Sequence, residues 1–197
     1  MKDVKNRIPA KITRTRYVFA ALFAALIAVS SFLVIPLPVG IVPIVLTNLF
    51  VVLSGLVLGG LYGGLATLIF LTAGLLGFPV LVIPGPGAFL TNLGGYLIGY
   101  LLGSLCAGLI CGLPSISEKS VSRGRLLRVC AAAFAGFAII LLCGAFYIML
   151  LNSISFHSAL LIGVVPFLIG DALKLAAAVP VALKLRPIAA RYINPDA

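Results

Sequence analysis

The sequence predicts an all-α integral membrane protein: about six transmembrane helices in one compact bundle spanning residues 1–197, with both ends on the cytoplasmic side. Three observations carry this expectation. Hydrophobic residues make up 62% of the chain and charged residues only 9%; a globular domain has roughly half apolar and a quarter charged, and without those charges no polar skin can be assembled. The charges stand almost entirely at the margins of long apolar runs. Lysine and arginine fall in alternate connectors, at the N-terminus, around Arg123 and at the C-terminus. Only an even number of spans with both ends inside satisfies that alternation.

With about 20 apolar residues needed per span, proline and glycine divide the chain into segments. The first run, 17–35, follows six of the 14 basic residues. A secretory signal has an apolar core of roughly 7–15 residues and a small-residue cleavage site; this run is longer and lacks one, so a first spanning helix is expected. Pro36, Pro38 and Pro43 end it, because proline removes a backbone donor and clashes with the preceding turn. A second helix is expected over 44–58 and a third over 61–76, with Gly59-Gly60 and Gly63-Gly64 flanking a tight reversal. Both are short for a full span. The stretch 77–93 carries Pro79, Pro84 and Pro86 but no charge, which predicts a re-entrant or capping loop folded over the protein. Helices over 94–111, 126–151 and 158–185 complete the bundle, the last interrupted at Pro166, Gly170 and Pro180.

A net charge of +10 would suit nucleic acid, but no basic stripe with interleaved aromatics is present. Basic residues at the ends of apolar runs point instead to the lipid bilayer and its anionic headgroups. Cys106, Cys111, Cys130 and Cys143 form no CxxC pair and read as packing residues, with no metal expected. No HExxH or GxSxG motif occurs, and no glycine precedes a lysine to cradle phosphate. ATP hydrolysis is therefore not expected of this chain.

Small residues recur at four-residue spacing, which lets helix backbones approach where lipid supplies no hydrophobic drive. Ala20, Ala24 and Ala28 form one ridge, Ala21 and Ala25 an adjacent one, and Gly95, Gly99 and Gly103 a third. Packing within the bundle and docking of another membrane subunit both fit these ridges.

One ionisable cluster lies within an apolar run. Asp171 and Lys174 are three residues apart, on one helix face, where each compensates the other. An ionisable group at membrane depth costs at least a few kcal/mol, so it marks function by default. Pro166 and Gly170 just before it predict a break whose freed backbone lines a cavity. A carboxylate beside an ammonium accepts a ligand N–H and binds a ligand oxygen, which suits a small polar solute. Asn48, Thr47, Thr91, Asn92, Tyr96 and Tyr100 are the other polar groups at depth.

Three stretches resemble the BioY family, the biotin-specific S components of energy-coupling-factor transporters. They are Val42-Pro43-Ile44-Val45-Leu46-Thr47-Asn48-Leu49-Phe50-Val51, Gly77-Phe78-Pro79-Val80 with Gly94-Gly95-Tyr96-Leu97-Ile98-Gly99, and Pro166-Phe167-Leu168-Ile169-Gly170-Asp171-Ala172-Leu173-Lys174. The last is similar to the family's PGD-x-x-K signature, with Ile169 in place of its proline. The resemblance implies a six-helix subunit that captures biotin from outside, in a bacterial plasma membrane, without a cofactor. It implies docking onto a transmembrane coupling protein that carries two ATPase subunits. Ligand contacts are then expected from Asp171 and Lys174, with Asn48, Asn92, Tyr96, Gly94 and Gly95, and partner contacts from Ala20, Ala24 and Ala28. Another vitamin is the alternative ligand. A membrane-embedded enzyme using Asp171 as base is the alternative class, and it lacks a nucleophile or second carboxylate at depth.

Overall fold

A computed structural model of the chain describes residues 10–35, 44–116 and 122–195. Pro36, Pro38, Pro43 and Lys119 lie outside the described residues. The described chain runs α1 (Ala10–Ser30), β1 (Val34–Ile35), β2 (Ile44–Val45), α2 (Thr47–Leu58), α3 (Gly60–Leu75), a 3-10 turn (Pro86–Leu90), α4 (Gly94–Cys111), α5 (Arg123–Asn152), α6 (Phe156–Gly163), a second 3-10 turn (Val165–Phe167) and α7 (Leu168–Ile193). The all-α bundle with a capping segment between its third and fourth helices is as the sequence predicts.

The helix boundaries differ from the apolar runs for physical reasons. α1 begins earlier than residue 17 and takes in Arg14 and Arg16. Hydropathy ends where charge begins, whereas the helix continues because Arg16 finds partners: its Nε donates to the Ile193 carbonyl at 2.6 Å, and its guanidinium lies 5.5 Å from the Tyr62 ring centre. α1 also ends earlier than residue 35. Ser30 and Ser31 donate to the carbonyls of Ile27 and Ala28, and the chain then turns into a short antiparallel ladder pairing Val34 with Val45 and Ile35 with Ile44.

Among the described residues, three helical stretches are long and apolar enough to cross a membrane: α4, α5 and the consecutive α6 and α7, Phe156–Ile193. α2 has only 12 residues, roughly 18 Å at about 1.5 Å per residue. Its contacts are made backbone to backbone. A methyl added at Gly63 would lie 2.5 Å from Gly55 Cα, and one at Gly55 would meet the Ser104 backbone carbonyl. Gly59, at φ 82°, turns α2 directly into α3. The glycine ridge of α4 faces α5, where methyls at Gly99 and Gly103 would stand 2.9 Å from Ile140 Cα and 2.7 Å from the Gly136 carbonyl.

The last predicted helix is two helices. The break falls at Val164–Phe167, around Pro166, while Gly170, Pro180 and Pro187 sit inside α7, which continues past residue 185 to Ile193. Near that far end Arg186 is 1% exposed. It donates to the carbonyls of Leu56 (2.5 Å), Cys111 (3.2 Å), Gly112 (3.2 Å) and Leu113 (3.3 Å), gathering the C-terminal ends of α2 and α4. Carbonyls there have no intrahelical donor and carry the negative end of the helix dipole, so one guanidinium satisfies both helices.

The alanine ridge expected to meet a partner lies on the inner side of α1. Ala20 and Ala24 are buried and Ala28 is half-buried, on the side where α1 packs against α2 and α3. The adjacent ridge of Ala21 and Ala25 faces outward. Both ridges have the same spacing, and burial of Phe23 and Ile27 with Ala20 turns the first one inward.

Candidate binding site

The break before α7 places its first turn at the edge of a cavity of about 150 Å³ lined by Asn48, Tyr96, Tyr100, Phe167, Asp171 and Lys174. A single water needs roughly 10–15 Å³ by this kind of measure, so the space suits a small organic solute rather than one ion. The residues between α3 and the first 3-10 turn cover it, with Val80, Leu81, Val82 and Ile83 on the lining. Gly77 and Gly85, at φ 94° and 85°, bound that covering segment. Beyond it the chain is tied to α5: Tyr147 donates its hydroxyl to the Phe89 carbonyl, and Asn152 Nδ2 donates to Asn92 Oδ1 at 2.8 Å.

Asp171 lies in the first turn of α7, where the helix dipole favours a negative charge. Asp171 and Lys174 are buried, and Lys174 Nζ donates to Asp171 Oδ1 at 2.9 Å. The same oxygen accepts from Asn48 Nδ2 at 2.8 Å. Asn48 belongs to the first turn of α2, so one carboxylate oxygen ties α2 to α7 across the cavity. The other oxygen, Oδ2, is buried and makes no hydrogen bond among the described residues. An unpaired buried carboxylate oxygen is costly, and here it lines a cavity. It is an acceptor waiting for an N–H or O–H donor. An ammonium has three donors, so Lys174 keeps capacity for a ligand oxygen.

The sequence brings some of its candidates together and not others. Asp171, Lys174, Asn48 and Tyr96 line the cavity. Tyr96 spends its hydroxyl on the Gly163 carbonyl at 2.6 Å, an oxygen at the end of α6 beside the break. It presents its ring to the cavity, 5.8 Å from that of Phe167. Asn92 is exposed and does not line the cavity, and neither do Gly94 and Gly95. The two glycines admit their neighbours instead: a methyl at Gly94 would stand 2.7 Å from the Phe89 carbonyl, and one at Gly95 would meet the Tyr147 side chain. Tyr100, a polar residue at depth without an expected ligand contact, also lines the cavity. Its position four residues after Tyr96, on the same helix face, is the signal for it.

Comparisons with known proteins agree with this architecture. The model of a family described as "BioY family" matches residues 4–191. The chain is 36% identical over 171 residues to the biotin transporter BioY of Thermotoga maritima, covering 86% of this chain and 94% of that protein. It is 34% identical over 168 residues to the probable biotin transporter BioY of Pyrococcus horikoshii, covering 84% and 93%. Among solved structures, the S-component for biotin from an ECF-type ABC transporter superposes with a TM-score of 0.75 at 26% identity, covering 91% of this chain and 95% of that one.

Proposed function

Because this chain belongs to the BioY family, we propose that it is the membrane subunit that captures biotin for an energy-coupling-factor transporter. It is a transporter component and not an enzyme. The observation that carries the ligand reading is Asp171: one oxygen is saturated by Asn48 and Lys174, and the other is buried, unpaired and on the cavity wall. A ureido group offers the complementary pattern, an N–H for Oδ2 next to a carbonyl oxygen for Lys174. The apolar covering segment suits the thiophane ring and alkyl tail. Relatives at 34% and 36% identity carry the name biotin transporter, which favours biotin over another vitamin.

The family membership supports a transmembrane coupling protein and two ATPase subunits as its partners. We place the ends bearing Arg14, Arg123 and Arg191 in the cytoplasm of a bacterial cell and the covering loop outside, on the distribution of basic residues. Equilibrium binding of labelled biotin to sealed vesicles tests both parts. Biotin added outside should bind, and an impermeant thiol reagent should modify Leu90→Cys but not Gly124→Cys in a background lacking the four native cysteines. Absence of binding would overturn the ligand, and the reverse labelling would overturn the orientation.

A further inference from the structure

Two tyrosines face the cavity from one side of α4, and their hydroxyls are differently engaged. Tyr96 donates to the Gly163 carbonyl at 2.6 Å and so holds the break before α7. Tyr100, one turn further along α4 and half-buried on the same cavity, makes no hydrogen bond among the described residues. A hydroxyl in an apolar bundle is disfavoured without a partner, and buried polar groups are almost always satisfied. The groups with spare capacity on this wall include an acceptor, Asp171 Oδ2, and the donors Lys174 Nζ and the Tyr100 and Thr47 hydroxyls. Of the two hydroxyls only that of Tyr100 stands on α4, across the cavity from the carboxylate, while Thr47 adjoins the Asn48 that already holds Asp171 Oδ1.

From this inventory we infer that Tyr100 is a specificity-determining residue that donates its hydroxyl proton to the ureido oxygen of the ligand. This rests on the biotin reading above. A carbonyl oxygen has two lone pairs: Lys174 serves one and Tyr100 the other, while Asp171 Oδ2 takes the adjacent N–H. The ureido group is held at three points, and Tyr96 acts on it only through the position of α7.

The test is an affinity cycle on the purified protein in lipid nanodiscs, comparing wild type, Tyr100→Phe and Tyr96→Phe. The ligands are biotin and its analogue with the ureido oxygen replaced by sulfur, a much weaker acceptor. Tyr100→Phe should keep the wild-type melting temperature and bind biotin about five- to tenfold more weakly, the range of one hydrogen bond. The penalty for the sulfur analogue should shrink by about the same factor in Tyr100→Phe, because the contact it weakens is already gone. In Tyr96→Phe that penalty should equal the wild-type value. If Tyr100→Phe binds biotin as wild type does, or if it leaves the sulfur penalty unchanged, the hydroxyl serves another partner such as Asp171 and the inference falls. Failure of the wild-type protein to bind biotin would overturn the reading beneath it, a result distinguishable from either of these.

Discussion

α7 carries a buried charge site near each end, and the two sites are built differently. Near its start, Asp171 and Lys174 neutralise each other, yet Asp171 Oδ2 has no hydrogen-bond partner among the described residues and lies on a cavity wall. Fifteen residues later Arg186 is buried, and it donates to backbone carbonyls of α2 and the α4 terminus and to Cys111 Sγ. Both depart from the rule that charged side chains are seldom fully buried. Burial of charge alone therefore does not identify a binding site. What separates them is spare hydrogen-bonding capacity: a saturated group holds the fold, and an unsaturated one is free to hold a ligand.

The largest effect expected from this contrast is at Arg186. Arg186→Met preserves the apolar stem and removes every donor, leaving the C-terminal carbonyls of α2 and α4 unpaired together. Charge-assisted hydrogen bonds contribute about 1.5–3 kcal/mol each, so loss of several should cost at least ~3 kcal/mol and depress the melting temperature and yield in nanodiscs severely. The fraction that folds should bind biotin with near-normal affinity, since Arg186 lies outside the cavity lining. A stable Arg186→Met protein that has lost biotin binding would invert the assignment of the two ends.

At the other end the expected loss is of binding, not of fold. Asp171→Asn with Lys174→Gln removes both charges and leaves no ion unpaired. Titration should show biotin affinity lower by roughly ten- to a hundredfold, from one lost charge-assisted hydrogen bond at about 1.4 kcal/mol per factor of ten. The melting temperature should stay near that of the wild type. If affinity is unchanged, the pair is structural in the way Arg186 is, and the contrast disappears.

The two ends were also unequally legible. Asp171 and Lys174 stand out because they interrupt an apolar run at helical spacing, and Pro166 announces the break that positions them. Arg186 gives no such signal. It sits between Lys184 and Arg191, so it reads as one more basic residue at a membrane margin; only the tertiary course of α2 and α4 reveals the carbonyls it serves. The same basic residues lower hydropathy and hid the last two turns of α7, as Arg14 and Arg16 hid the first turns of α1. The glycines that open α4 are legible as close-approach positions but not as to what approaches: Phe89 and Tyr147 fill that space. Spacing alone also left two alanine faces of α1 equivalent.

That last ambiguity gives the smallest expected effect on the isolated subunit, and it extends the contrast from hydrogen bonds to packing surfaces. Ala24 is committed, at 5% exposure, whereas Ala21, three residues earlier, is exposed between Val18 and Leu22, which are 66% and 53% exposed. In a bilayer an exposed alanine among larger side chains is a notch where a second helix can approach closely, and Ala21 and Ala25 form such a notch on the outer face of α1. Ala21→Leu fills the notch without touching the bundle and should leave melting temperature and biotin affinity unchanged, within a few tenths of a kcal/mol for a change at an exposed site. Biotin uptake by cells that also carry the coupling module should fall, as should co-purification of that module with the subunit. Ala24→Leu forces a larger side chain into packed helices at about 1–3 kcal/mol, so it should lower the melting temperature first. If Ala21→Leu transports normally while Ala24→Leu remains fully stable and blocks uptake, the inward ridge is the docking face, and α1 must rotate to present it.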